Sequence, residues 1–278
     1  MTRKLEFREI QLCEFEVLKQ IKEICIRNNF KFCLAYGSLL GAIRHKGIIP
    51  WDDDIDIMMP RDDYDKLIEY FIQNKDALYP LELFENSVNP NYPHKIARIS
   101  DQQYHLIFNN EKDYDIGVFV DIYPLDGIGN DYEDARKLIK KNKLLASMCF
   151  LTSRKKYSFD NTQTILKMII KFPLYFIAKL IGNKYFIQKL EKNSRKYDYN
   201  DSMYIGCTSW PDGEKDGRNR DIYDKDLFEL ESALFENEMM PIPKGYDRIL
   251  KISYGDYMQI PEEKDRKVHH DYIAYSRG

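Results

Sequence analysis

Four aspartates, Asp52, Asp53, Asp54 and Asp56, end a run that begins at Tyr36-Gly37-Ser38. Two of them carry the chemistry. Asp54-Ile55-Asp56-Ile57 alternates as a strand does, so Asp54 and Asp56 share one face and the isoleucines the other. Carboxylates side by side repel unless a cation lies between them, and hard oxygen donors suit Mg²⁺ or Mn²⁺. Asp52 and Asp53 belong to the turn before that strand. Upstream, Gly37-Ser38 lies between an apolar run, Phe32 to Tyr36, and a short helical segment, Leu39 to His45. A turn there points N–H groups and the Ser38 hydroxyl at an anion.

A third acid stands in Gly117-Val-Phe-Val-Asp-Ile-Tyr-Pro-Leu-Asp-Gly127. Asp121 interrupts an apolar strand, where a charge is costly unless it is paired or bound to metal. The predicted catalytic and metal-binding set is therefore Asp54, Asp56 and Asp121. Gly37, Ser38, Arg44, Lys46, Lys95 and Arg98 are candidates to meet phosphate, with Lys95 foremost because it precedes a predicted core strand. Asp121 is also a candidate to take the proton from an attacking hydroxyl.

The string Tyr-Gly-Ser-Leu-Leu-Gly-Ala-Ile-Arg-His-Lys-Gly-Ile-Ile-Pro-Trp-Asp-Asp-Asp-Ile-Asp-Ile, residues 36–57, resembles the LicD family of phosphocholine transferases. The fukutin-related proteins are similar to that family, and the wider likeness is to the nucleotidyltransferase-fold superfamily. Residues 240–258 resemble its C-terminal signature, while the likeness is weakest over 136–225. The resemblance implies a mixed sheet flanked by helices, with a third acid on a neighbouring strand. It implies transfer of phosphocholine from CDP-choline to a sugar hydroxyl, with release of CMP. The acceptor would be a lipid-linked teichoic acid precursor or a lipopolysaccharide. A quaternary ammonium donates no hydrogen bond and needs an aromatic cage, for which Tyr36, Trp51, Tyr92, Tyr123 and Trp210 are candidates. Ribitol, glycerol or ethanolamine phosphate would use the same carboxylates, and a non-catalytic nucleotide-binding scaffold is the alternative outside enzymes. His269-His270 is either a substrate contact or a solvated pair.

The elements that position these residues read as an α+β chain. Helical spacing covers 8–27, and strands are predicted at 32–36, 54–59, 81–85, 95–99, 104–108, 117–127 and 203–207, with a helix from Asp62 and another over 131–150. Short strands are predicted at 227–231 and 233–236, and a loop from 240 feeds a helix ending at Gly255. With the resemblance, the expected organisation is a nucleotidyltransferase-like core over 1–130, a basic, apolar helical segment over 131–200, and a C-terminal part over 201–278 completing the core and acceptor site.

The net charge of −3 hides an asymmetry. Residues 136–196 hold 16 Lys and Arg against Asp160 and Glu191 alone. Residues 162–190 mix apolar clusters with Lys167, Lys171, Lys179 and a predicted break at Pro173, which argues against a spanning helix. A basic, apolar helical stretch fits either a lid or an interfacial element on an anionic membrane. Five scattered cysteines without a Cys-x-x-Cys spacing suit reduced thiols, and the N-terminus lacks a signal-peptide core. The expected location is cytoplasmic, at the inner face of the membrane. No motif of a nucleic-acid module is present.

Overall fold

The computed structural model describes residues 3–157, 165–215, 218–266 and 272–278. The first residues of the 162–190 stretch, and His269 and His270, lie outside them. The chain opens with α1 (Phe7–Asn28), β1 (Cys33–Leu34), α2 (Tyr36–Arg44), β2 (Asp56–Pro60) and α3 (Arg61–Gln73). Then come β3 (Leu81–Phe84), β4 (Ala97–Asp101), β5 (Tyr104–Phe108) and the long β6 (Val118–Gly129). Helices α4 (Tyr132–Ser153), α5 (Ile165–Ile181) and α6 (Asn183–Ser194) form the middle segment. The rest is β7 (Tyr204–Gly206), β8 (Glu214–Lys215), β9 (Arg218–Asn219), β10 (Tyr223–Asp224), β11 (Leu230–Phe235), β12 (Glu238–Pro243), α7 (Tyr246–Tyr254) and β13 (Tyr272–Ser276).

The chain is therefore mixed α+β, built on one mixed sheet in the order β1-β2-β6-β4-β3. Strand β6 is buried along its whole length and organises the rest. Its first half pairs with β2 in parallel and with β4 antiparallel; its second half takes β7. A strand covered on both faces must be apolar throughout, yet β6 carries Asp121 and Asp126. Each carboxylate has an arginine: Arg98 Nε donates to Asp121 at 2.6 Å, and Arg61 Nε to Asp126 at 2.7 Å. That pairing is what makes the two charges tolerable inside.

Helix α1 packs on β6 and β4, and α3 on β6 and β2. Helices α4, α5 and α6 enclose a smaller core of their own around Cys149, Ala178 and Phe186. Helix α5 runs through Pro173 without a break; the interruption comes at Gly182, whose φ of 87° reverses the chain before α6. The segment 225–243 also departs from expectation. Lys225–Phe228 is a 3₁₀ turn, and β11 and β12 form a hairpin. Pro241 and Pro243 disguise β12, since proline suits only an edge strand. Strand β13 adds to β5. Among the described residues no helix is long and apolar enough to cross a membrane.

Candidate active site

The site forms where β1 hands the chain to α2 beside the start of β2. Gly37 and Ser38 lie inside the first turn of α2, not in a turn before it. Ser38 is buried, and its Oγ accepts the Asp56 N–H at 2.9 Å, while the Asp56 carbonyl accepts from Ala35 N at 3.0 Å. Both backbone groups of Asp56 are thus clamped by the β1–α2 junction. Tyr36 there has a φ of 43°, a left-handed conformation that costs a non-glycine residue energy and clusters at functional sites. A Cβ on Gly37 would collide with Asp52 Oδ2, so only glycine lets that carboxylate approach.

Register then supplies the third acid. Asp56 and Asp121 are direct partners in the parallel β2–β6 ladder. Carboxylate oxygens of Asp54, Asp56 and Asp121 all lie within 4.8 Å of one another. Asp121 and Asp56 are buried, and Asp54 is part-exposed. Burial, and then the charges of Asp54 and Asp121, hold the Asp56 carboxyl well above the usual carboxylate range. Asp56 Oδ1 is buried and has no hydrogen-bond partner. Three converging hard donors with one buried oxygen unpartnered are what a divalent cation would satisfy.

The predicted phosphate-binding cations are not gathered here. Arg98 is committed to Asp121, donates to Tyr114 Oη at 3.1 Å and lies over the Phe119 ring at 4.0 Å. Lys95 is drawn to Glu191 at 2.8 Å and Glu85 at 3.5 Å. Arg44 donates to the carbonyls of Tyr257 and Gln259. Lys46 is exposed, and its carbonyl accepts the Glu236 N–H of the β11–β12 hairpin. Of the aromatic candidates, Tyr36 and Tyr123 meet edge to face at 5.1 Å, and Tyr123 is two residues past Asp121 on the same face of β6. Trp51 already has the Arg266 guanidinium over its ring at 4.5 Å. Tyr92 is wholly buried and packs on Phe84, His94 and Tyr114, so as placed it is a core residue and not a cage wall. Trp210 packs against His94 and Phe150 and lines a cavity of about 350 Å³ between α4 and α5.

Other contributors come from α1 and the last strand. Gln11 Nε2 donates to the carbonyls of Ile49 and Asp52, and Tyr272 Oη to that of Asp53, which pins the aspartate turn. Glu14 is buried, and burial together with Asp54, Asp53 and Asp52 pushes its carboxyl well up. A signal for two of them was present: Gln11 and Glu14 stand at helical spacing with Leu18, Ile21 and Cys25, polar residues on an apolar face. Tyr272 carried none, because its approach depends on β13 joining β5.

Residues 29–163, which take in all three aspartates, match the family model described as LicD/FKTN/FKRP, nucleotidyltransferase domain. Along nearly its full length the chain is also similar to the lipopolysaccharide cholinephosphotransferase LicD of Haemophilus influenzae. The identity is 31% over 278 residues, covering 98% of this chain and 99% of that one. The chain belongs to the LicD family. An uncharacterized protein of Rickettsia typhi is 32% identical over 129 residues, 46% of this chain and 38% of its own. One of Rickettsia prowazekii is 45% identical over 49 residues, 18% of each chain.

Proposed function

We propose that this protein is a divalent-cation-dependent transferase that moves phosphocholine from CDP-choline to a sugar hydroxyl of a cell-surface glycan, releasing CMP. The observation that carries the reading is the convergence of Asp54, Asp56 and Asp121 within 4.8 Å. The full-length similarity to a lipopolysaccharide cholinephosphotransferase supports the headgroup and favours lipopolysaccharide over teichoic acid as acceptor. A nucleotidyltransferase-like fold accords with the matched domain and with two acids paired on parallel strands.

The three aspartates would hold Mg²⁺ or Mn²⁺, which when bound offsets charge on the phosphates. The acceptor oxygen attacks the phosphorus that bears choline; the new O–P bond forms as the bond to the CMP oxygen breaks. The hydroxyl proton goes to Asp54, the one triad member that is part-exposed. Asp121, the carboxylate singled out from the sequence for that role, is buried with both oxygens facing Arg98, which suits a fixed charge better than a mobile proton. On this reading choline would lie beside Tyr36 and Tyr123, the aromatic pair next to the carboxylates.

A location at the inner face of an anionic membrane belongs to the same reading. Helix α5 exposes Phe172, Phe176, Ile177, Leu180 and Ile181, at spacings that lie on one side of a helix. The surrounding segment is strongly basic. The test of function is CMP release from CDP-choline with Mg²⁺ and lipopolysaccharide, run beside CDP-ethanolamine, CDP-glycerol and CDP-ribitol. Preferred turnover of CDP-choline is expected; turnover of another donor alone transfers the reading to that headgroup, and none at all overturns it.

A further inference from the structure

A cleft of about 1280 Å³ lies between α3, α6 and the loop after β3. It is separate from the aspartate triad. It reaches in to Arg61, the residue after β2, whose buried partner Asp126 lies five residues beyond Asp121 on β6. At about 3.3 Å per residue that is roughly 16 Å away.

The wall of this cleft is a ladder of alternating charge. Asp126 pairs with Arg61 at 2.6 Å, and Arg61 faces Asp65 at 3.5 Å. Arg195 reaches Asp65 at 2.6 Å and also holds Glu191. Glu191 takes Lys95 at 2.8 Å, and Lys95 faces Glu85 at 3.5 Å. Ile68, Ile72, Pro90 and Ile187 supply the apolar part. Four buried polar atoms on lining residues have no hydrogen-bond partner; Arg61 Nη2 and Glu191 Oε2 are held in ion pairs, which leaves Tyr64 Oη and Asn86 Oδ1. Tyr64 is 2% exposed, and a buried hydroxyl left unpaired costs free energy that a ligand would return.

We propose that this cleft binds an uncharged oligosaccharide. A sugar hydroxyl donates and accepts at once, so neighbouring hydroxyls match a wall on which carboxylates and cations alternate. The C–H faces of the rings meet the isoleucines. The ladder holds four acids against three cations, which leaves no surplus of positive charge along it for a phosphate, while the exposed Lys184, Lys192 and Lys196 line the cleft outside it; it would have to be desolvated against an acyl chain, which disfavours lipid. That the saccharide is the non-reacting part of the acceptor rests on the transferase reading; that the cleft takes a saccharide does not.

The probe is a lipopolysaccharide-derived oligosaccharide freed of phosphate, lipid and acidic sugars, titrated into the full chain by calorimetry and by amide NMR shifts. Binding is expected to perturb α3 and α6 and to persist in Asp56→Asn. Tyr64→Phe removes only the unpartnered hydroxyl, so the melting temperature should hold or rise while affinity falls about fivefold, the worth of one hydrogen bond. Arg195→Ala, at the exposed middle of the ladder, should weaken binding at least as much. No binding by the wild type, or undiminished wild-type affinity in both variants, overturns the cleft. CMP release with no saccharide binding leaves the transferase reading standing, and binding with no CMP release leaves the cleft standing.

Discussion

Arg98 and Asp121 are cross-strand partners on β4 and β6, and the guanidinium reaches both carboxylate oxygens, at 2.6 and 3.4 Å. Both side chains are buried. Arg98 therefore holds a triad carboxylate in charge and orientation from behind. Removing one partner of a buried pair strands the other. Arg98→Ala should cost about 3–5 kcal/mol in denaturant unfolding. Arg98→Lys keeps the charge but loses the planar fork and the contact with Phe119. It should retain most of the stability and lose turnover, a separation that chemical denaturation and CMP-release assays would show directly.

The strain among the three carboxylates makes a different prediction for Asp56→Asn. Substitution removes one charge from a buried, mutually repelling set. Without divalent cation the variant should melt at or above the wild-type temperature. With Mg²⁺ at about 100 times its dissociation constant the wild type should gain roughly 2.7 kcal/mol, and the variant should gain little. Turnover should fall at least 100-fold. A variant that is stabilised by Mg²⁺ as strongly as the wild type would remove Asp56 from the metal site.

Acid stability should depend on Glu111. Burial alone would raise its carboxyl, but His94, Arg98 and Arg154 outweigh it and bring it down from an ordinary 4.5 to about 2. A lowered folded-state value means that the stabilisation is fully present above about pH 4.5 and is lost as pH falls toward 2. The difference corresponds to about 3 kcal/mol. Urea midpoints measured between pH 6 and 2.5 should fall more steeply for the wild type than for Glu111→Gln. Parallel slopes would rule out this pair as the source.

The exposed face of α5 should act on membranes and not on folding. Leu180 is 89% exposed, so Leu180→Glu should leave the melting temperature within about 0.5 kcal/mol of stability. In sedimentation with anionic vesicles, Leu180→Glu and Phe176→Glu should each lower partitioning several-fold, and high salt should lower it for the wild type. Unchanged partitioning in the double variant would assign that face elsewhere.

Much of the site was legible before any fold was known. Asp54 and Asp56 followed from alternation with isoleucine, and Asp121 from a charge inside an apolar strand, because local periodicity decides which side chains share a face. The boundaries of α1 and β5 were equally local. The same reasoning did not foresee the partners of Arg98 and Lys95. Each is a cation beside a core strand in the sequence, and which anion claims it depends on strands and helices far away in the chain. The burial of Tyr92 was hidden for the same reason, since nothing local says that a loop tyrosine packs against Tyr114.

The sequence by itself thus marked out three carboxylates and a Gly-Ser turn ahead of a short helix, since those depend on residue type and short spacing. Only the tertiary structure decided how they are arranged. The parallel register of β2 with β6 sets Asp56 against Asp121. The antiparallel register of β4 assigns Arg98 to Asp121, and the docking of α6 draws Lys95 to Glu191. These pairings are long-range, and the desolvation of buried charge makes each one a condition of folding.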